Sequence, residues 1–332
     1  MKRIKVVLAG DIGGTKTNLG FYVRKSGGFD AGVFESYPSR EATGLEPILE
    51  KFLSSHPAPI SNACFGIAGP VINGKCKTTN LPWEVSENRL KERFGWERVR
   101  LVNDLTATAL SISFLRPVDV AVLNKGKAQK EGNLALVAPG TGLGQGLVVY
   151  HRGCPVPVSS EGGHVDFAPT SDEEVRLWRF LQKKYGHVSV ERVVSGPGLV
   201  DVYDWLRDSG QTPEPGWLKA RFRNEDPAKV ITNCALELKH PYCVEALDHF
   251  VRILGAAAGN LALTGLATGG VYLCGGIPPK ILWALKAGGI FMKAFSKKGR
   301  FENLLKKIPV RVILNERAAM LGAAACAFQA LE

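Results

Sequence analysis

Asn103 and Asp104 follow the strand-like Val99-Arg-Leu-Val102 and precede the helix-like stretch Leu105-Thr-Ala-Thr-Ala-Leu-Ser-Ile. A carboxylate at a strand-to-helix junction can take the proton from a hydroxyl that attacks a phosphate. The amide beside it can hold another hydroxyl. The same position also suits an Asp that only caps a helix. Glu161-Gly-Gly-His164 sets an acceptor and an imidazole on one glycine-bearing loop. Sugars need such a display, because neighbouring hydroxyls both donate and accept. A metal site and an ordinary loop are the competing readings; a metal would need more ligands than this stretch supplies. His187, the next histidine, stands alone and reads as a surface or satisfied histidine. Glu191 is a third acceptor, or a helix-surface charge.

Two turns could hold phosphate. In Leu8–Gly20 the run before Gly10-Asp11 stops at Gly13-Gly14-Thr15, and a strand-like pattern resumes at Asn18. Glycine lets backbone N–H groups approach closely, and the Thr hydroxyl adds a donor. Asp11 would repel a phosphate and suits a hydrated Mg²⁺ better. A plain hairpin with a solvated Asp fits the same residues. Gly140-Thr141-Gly142 repeats the logic of strand, Gly/Thr turn, strand. Neither turn is a dinucleotide or Walker motif: Gln145 takes the third glycine position of the first pattern, and Thr15 precedes Lys16 where the second needs Gly. Gly275-Gly276, after the strand-like Val271–Cys274, could let a backbone approach an adenine or ribose, or could simply open a helix.

The elements that must position these groups alternate between strand and helix. After the opening hairpin, Gly32–Tyr37 reads as a third strand, and Thr43 or Glu46 to Ser54 as a helix with Leu45, Ile48, Leu49 and Phe52 at helical spacing. Asn62–Pro70 reads as a buried strand. Val71–Gly74 and Cys76–Thr79 form a hairpin across Asn73-Gly74, and Ser86–Phe94 a helix with Ser86 as N-cap. Strands are expected at Val120–Leu123, Leu134–Ala138, Leu147–Tyr150, Val271–Cys274 and Val310–Leu314. Helices are expected at Asp172–Tyr185, Leu199–Arg207, Pro227–Leu238, Tyr242–Leu266, from Lys280, and at Ala318–Leu331. Ser209–Gly216, with two prolines, reads as a surface loop. One phosphate-type hairpin in each half suggests two related domains facing each other.

The chain has 332 residues, comfortable for two domains, with 22% charged and 45% hydrophobic residues as in an ordinary globular protein. Forty-two basic against 31 acidic residues give a net charge of +11. That could mean nucleic acid, but no helix-turn-helix, zinc finger or aromatic–basic interleaving accompanies it, and polyphosphate ligands or a merely basic surface fit it equally well. The densest cluster, Lys293–Lys307, reads as a solvated helix face that could steer an anionic nucleotide. Seven cysteines form no C-x-x-C pair, which argues for reduced thiols and a cytoplasmic protein. The run Ile4–Ala9 is too short for a secretory core. Phe250–Leu266 holds Arg252 and Asn260 and is rich in Gly and Ala, so it reads as a closely packed helix and not a membrane span.

DIGGT, LVNDLTATA, GTGLGQGL, EGGHVDFAP, ERVVSGPGL and CGGI, in this order, resemble bacterial ATP-dependent glucokinases of the enterobacterial type. The likeness runs from Asp11 to the LGAAA near Leu321. It implies the α/β, two-domain actin-like ATPase (ribonuclease H-like) sugar kinase fold with an interdomain cleft. Residues 1–115 plus 315–332 would form the small domain and 116–314 the large one. By motif position Asp104 would be the general base, and Asn103, Glu161, His164 and Glu191 would hold the hexose, with Asn80 of Thr-Asn-Leu-Pro-Trp a weaker contact. Asp11, Gly13, Gly14 and Thr15 with Gly140, Thr141 and Gly142 would hold the phosphates, and Gly275 and Gly276 the adenosine side.

The implied substrates are glucose and ATP with Mg²⁺, the metal arriving on the nucleotide and reached by Asp11 through water. Also implied are a cytoplasmic homodimer, a place in glycolysis, and no membrane or nucleic-acid partner. Two departures stand out. Lys16 occurs in the wider repressor/open-reading-frame/kinase (ROK) family where the enterobacterial type has Asn. The cysteine-rich zinc motif of ROK kinases is absent, since Cys234 is the next cysteine after the EGGH loop, which turns His164 towards the sugar. A kinase for another hexose or an amino sugar is one alternative. A sugar-responsive regulator is another, but the phosphate turn begins at Asp11 and leaves no room for the DNA-binding domain expected ahead of it.

Overall fold

The computed structural model describes residues 5–25, 28–78, 80–210 and 213–329. Ile4, Thr79, the middle of the expected 209–216 loop and the last residues of the expected terminal helix lie outside them. The strands are β1 (Val6–Ile12), β2 (Lys16–Lys25), β3 (Gly28–Pro38), β4 (Ile60–Ile67), β5 (Val71–Ile72), β6 (Lys75–Lys77), β7 (Glu84–Ser86), β8 (Arg98–Asn103), β9 (Val120–Asn124), β10 (Leu134–Pro139), β11 (Leu143–His151), β12 (Cys154–Ser160), β13 (Gly270–Leu273) and β14 (Val310–Ile313). The chain divides into two compact units. One holds Met1–Val120, Pro157–Ser159 and Asn315–Glu332; the other holds Ala121–Val156 and Ser160–Leu314.

The first unit is built on a five-stranded sheet of order β3-β2-β1-β4-β8, with β5, β6 and β7 in a small sheet of their own. The β1–β2 pair is antiparallel, while β4 runs parallel to both β1 and β8. Strand periodicity sorts side chains onto two faces. Leu8, Ala63, Phe65 and Ile67 pack with Leu45, Ile48, Leu49 and Phe52 of helix Leu45–Ser55. Val7, Ala9 and Cys64 point the other way, onto Met320, Ala323, Ala324 and Ala327 of helix Ala318–Gln329. The central strands are thus covered on both sides, which is why they read as continuous apolar runs.

The second unit repeats that order. Its sheet runs β12-β11-β10-β13-β14-β9, so β12-β11-β10-β13-β14 matches β3-β2-β1-β4-β8 position for position. The β10–β11 pair is again antiparallel, and β13 is parallel to β10 and β14. Ala135, Val137, Val271 and Leu273 share one core with Phe250, Leu254 and Ala258 of the long helix Pro241–Thr264. Gly255 and Gly259 on that helix leave no room for a side chain, because a Cβ would strike the backbone of Phe291 and Phe295 on the crossing helix Ile290–Ser296. Among the described residues no helix is long and apolar enough to cross a membrane.

Several elements depart from the sequence reading. β11 begins at Leu143 and not at Leu147, since Gly144 and Gly146 stay in register with Ala138 and Leu136. Helix Gly196–Ser209 starts three residues early: Ser195 accepts the Gly198 N–H and Pro197 sits in the first turn, where its missing donor costs nothing. Ser86 occupies an N-cap position but its side chain makes no cap bond. The segment expected as one helix to Leu238 is α-helical only over Pro227–Asn233 and closes in a π-helical turn, Cys234–Leu238. The helix expected from Lys280 begins at Leu282.

Candidate active site

In the first unit the carboxyl ends of β1, β4 and β8 carry the expected groups. Asp11 pairs with Asn18 across the hairpin and with Gly66 on β4, and Ile67 pairs with Asn103. The turn Gly13–Thr15 is held from behind. Gly13 N–H donates to the Lys16 carbonyl at 3.0 Å, Ser39 N–H to the Thr15 carbonyl at 2.9 Å, and Ser39 Oγ to the Gly13 carbonyl at 2.8 Å. Buried Thr17 meets Ser39 Oγ at 2.9 Å. Gly14 is required where it stands, because a Cβ there would lie 2.7 Å from Asn80 Cβ. Asn80 therefore belongs beside the opening turn.

Asn103 is the N-cap of helix Asp104–Ser111. Its Oδ1 accepts the Leu105 N–H at 3.0 Å and its Nδ2 donates to the Gly69 carbonyl at 3.3 Å. Both ends of that amide are engaged inside the unit, and each keeps one further position, a lone pair on Oδ1 and an N–H on Nδ2, for a ligand. Asp104 is exposed at the first helical position, and its Oδ1 accepts the same Leu105 N–H at 2.8 Å. The helix seats closely because Gly66 has no side chain: a Cβ there would stand 3.1 Å from Ala107 Cβ and 3.8 Å from Asp104 Cα. Burial and the nearby Asp104 charge push the Asp11 carboxyl up to about 6, against a smaller lowering by Asn18.

A carboxyl group raised on folding binds protons more tightly in the folded state. Its ionisation therefore subtracts stability as pH rises from the unfolded value of 3.8 to about 6, and the loss is complete above that. Asp11→Asn should melt higher than the parent at about pH 7 to 8 without nucleotide or metal, with the gain vanishing near pH 4. Melting curves at the two pH values check this; an equal gain at both would refute it.

In the second unit the turn Gly140–Gly142 joins β10 to β11 as Gly13–Thr15 joins β1 to β2. Gly140 N–H donates to the Gly142 carbonyl at 2.8 Å, and Gly196 N–H donates to the Gly140 carbonyl at 2.8 Å. Gly140 and Gly276 both face open space where a Cβ would point. Gly275, at φ +81°, is a backbone position that suits glycine, and a Cβ would lie 2.9 Å from the Pro139 carbonyl oxygen. These turns stand at the carboxyl ends of β10 and β13, where open α/β sheets bind ligands.

Glu191 links this turn to the EGGH loop. Its Oε2 accepts the Leu143 N–H at 2.8 Å, and a Cβ on Gly142 would come within 2.6 Å of it. Its Oε1 stands 3.9 Å from His164 Nδ1, and Glu161 Oε2 stands 4.0 Å from His164 Nε2. Both gaps exceed hydrogen-bond length, so lone pairs and ring nitrogens stay available to hydroxyls. Gly163 packs against the Leu143 carbonyl, and His164 N–H donates to the Glu161 carbonyl at 3.0 Å. The structure thus gathers Glu161, His164, Glu191 and Gly140–Gly142 in the second unit. It gathers Asp11, Gly13–Thr15, Asn80, Asn103 and Asp104 in the first.

Sequence reading missed Ser39, Thr17, Ser195 and Gly196. Ser195 Oγ donates to the Glu191 carbonyl at 2.8 Å and so fixes the segment that carries that carboxylate. The Ser-Gly-Pro-Gly run announced this as a cap followed by Pro in the first turn. Nothing local marks Ser39, which acts across 26 residues of sequence on Gly13. One metal-type cluster occurs among the described residues, Glu173, Glu245 and buried His249. Arg252 donates to His249 Nδ1 at 2.6 Å, which leaves the proton on Nε2 and a fixed cation beside the carboxylates.

The glucokinase family model matches residues 8–330. A glucokinase of Nostoc punctiforme is 40% identical over 97% of this chain and 98% of its own. The chain belongs to the glucokinase family. A Caulobacter glucokinase is 36% identical over 98% of this chain and 95% of its own. The crystal structure of a glucokinase from an Antarctic psychrotroph superposes with a TM-score of 0.89 at 30% identity, covering 98% of this chain and all of that one. The actin-like sugar kinase fold expected from the motifs is therefore the fold of this glucokinase-family chain, and the strand order that β3-β2-β1-β4-β8 and β12-β11-β10-β13-β14 share is its internal signature.

Proposed function

We propose that this chain transfers the γ-phosphoryl group of ATP to the 6-hydroxyl of glucose, giving glucose 6-phosphate and ADP. Full-length membership of the glucokinase family supports the reaction. The observation that carries the mechanism is Asp104, exposed at a helix start above Gly66, with a second carboxylate beneath it. Asp104 accepts the proton of the attacking hydroxyl as the new P–O bond forms, and the bridging oxygen leaves on ADP. Positioning and charge neutralisation supply most of the rest. In the turns Gly13–Thr15 and Gly140–Gly142 the N–H groups of Gly14, Thr15, Thr141 and Gly142 donate to phosphate oxygens, and at Gly275-Gly276 the open face of Gly276 receives the adenosine side. Glu161, His164 and Glu191 hold sugar hydroxyls, with Asn103 and Asn80 as further contacts.

Mg²⁺ carried by the nucleotide would neutralise phosphate charge. The residues fit it: Asp11 is a half-buried carboxyl pushed up by burial and, secondarily, by the neighbouring Asp104 charge, and a cation relieves that repulsion. Asp11 would reach such an ion through water. Seven free thiols support a reducing, cytoplasmic setting, and the family likeness supports a homodimer serving glycolysis, with residues 1–115 plus 315–332 and 116–314 as its small and large domains.

Glucose is distinguished from other hexoses by coupled assay across glucose, mannose, fructose and 2-amino-2-deoxyglucose. Glucose should give a kcat/KM at least about tenfold above each of the others. A higher value for any of them would reassign the substrate.

Glu191 separates sugar from nucleotide contributions. Glu191→Gln keeps an oxygen for the Leu143 N–H but removes the charge that faces His164. Loss of a charged hydrogen bond to a hydroxyl should raise the glucose KM on the order of tenfold, with the ATP KM nearly unchanged. Glu191→Ala also strips the Leu143 N–H of its acceptor and should raise both. Equal effects of the two variants on the ATP KM would overturn this division.

A further inference from the structure

The basic cluster read from the sequence at Lys293–Lys307 plays no part in the mechanism above. It surrounds a hollow of about 540 Å³ in the second unit, ringed by Lys293, Lys297 and Lys306, with Met292, Ser296 and Asn124 also lining it. We propose that this hollow binds a small phosphoryl-bearing anion at a place separate from the phosphate turns.

Its position excludes the turns. β14 runs parallel to β13 and β10, with Val310 paired to Val271 and Leu273 to Val137. The turn Gly140–Gly142 and Gly275 follow the carboxyl ends of β10 and β13. Lys306 precedes β14, and Asn124 Nδ2 pins that entry by donating to the Lys306 and Ile308 carbonyls at 3.0 and 2.7 Å. The hollow therefore sits at the opposite end of the sheet, about five residues or roughly 16 Å from the turn.

Its charge calls for an anion. Glu302, the only acid in the lining, is held by Lys306 Nζ at 2.6 Å. Lys293 and Lys297 have no carboxylate partner among the described residues, and they stand four apart, a spacing at which like charges repel. Lys298, by contrast, is turned to Asn260 Oδ1 at 2.6 Å. A helix end explains one cation; it does not explain three around a cavity.

The scaffold is rigid, since Gly255 and Gly259 seat helix Ile290–Ser296 directly on the long helix. The volume lies within the range of small-molecule sites and exceeds what a bare phosphate fills. Compact ammonium groups suit phosphoryl oxygens, and Met292 with the lysine stems offers an apolar floor for the rest of the ligand.

Lysine acylation of the full-length protein, followed by mass spectrometry, tests this with inorganic phosphate, glucose 6-phosphate and ADP as separate probes. At a few times Kd, at least one should slow acylation of Lys293 and Lys297 about threefold or more, with exposed Lys183 and Lys219 unaffected. Protection by inorganic phosphate alone identifies bare phosphoryl recognition; protection only by the sugar ester or only by ADP identifies that source. Calorimetry should lose the corresponding binding in K293E/K297E and keep it in K183E/K219E, which carries the same charge change. Either no selective protection by any probe, or equal weakening by both double variants, overturns the proposal.

Discussion

Asp104→Asn should lower kcat by about a thousandfold or more, within the range general-base catalysis supplies, while glucose still binds. Loss of the carboxylate removes the proton acceptor but little of the structure. The Leu105 N–H that Asp104 caps is also accepted by Asn103 Oδ1 at 3.0 Å, so the helix start stays satisfied. Removing a negative charge from a helix N-terminus costs roughly 0.3 to 1 kcal/mol. Against this, the repulsion that Asp104 exerts on Asp11 disappears. The melting temperature should therefore move by only a few degrees, and the Asp11 carboxyl should titrate lower than in the parent. Calorimetric glucose binding within a few-fold of the parent, beside the lost turnover, would separate chemistry from binding. Turnover within tenfold of the parent would remove Asp104 from the role of base.

The groups that announce this site in the sequence are those whose chemistry is local. Gly13-Gly14-Thr15 and Gly140-Thr141-Gly142 are legible because a tight turn between strands needs glycine whatever surrounds it. Asn103-Asp104 is legible because a helix start advertises itself in side-chain type. What stayed hidden depends on distant partners. Ser39 is an ordinary serine until the fold lays it against Gly13. Glu191 reads as one more acceptor until its Oε2 is found on Leu143 N–H, tying the phosphate turn to the histidine loop.

Two elements misled for the same reason. Glycine and proline usually break structure, yet Gly144 and Gly146 lie inside β11 and Gly196-Pro197-Gly198 opens a helix. At Gly163 and Gly198 the missing side chain makes room for a neighbouring carbonyl. Close approach between segments is not written in the segment itself.

Gly322 makes the same point with the largest expected effect on stability. Helix Ala318–Gln329 reads as a bland stripe of small residues, and in the fold it lies against helix Asp104–Ser111. A Cβ on Gly322 would overlap the Ala107 carbonyl oxygen and stand 2.7 Å from its carbon and 3.0 Å from Ser111 N. These are backbone atoms, so no rotamer change relieves the overlap; one helix must move. Overpacking of this kind costs about 1 to 3 kcal/mol and sometimes more. Gly322→Ala should accordingly lower the melting temperature by about 5 °C or more. Since Asp104 begins the displaced helix, kcat should fall even where the protein remains folded, with the glucose KM less affected. Gly216→Ala is the control: a Cβ there meets nothing within 4 Å, at the start of helix Gly216–Asn224. That change should be neutral or slightly stabilising, within about 1 kcal/mol, because alanine restricts the unfolded chain. If Gly322→Ala melted with the parent and kept its kcat, the two helices would have slack that this contact denies, and the placement of Asp104 would not depend on it.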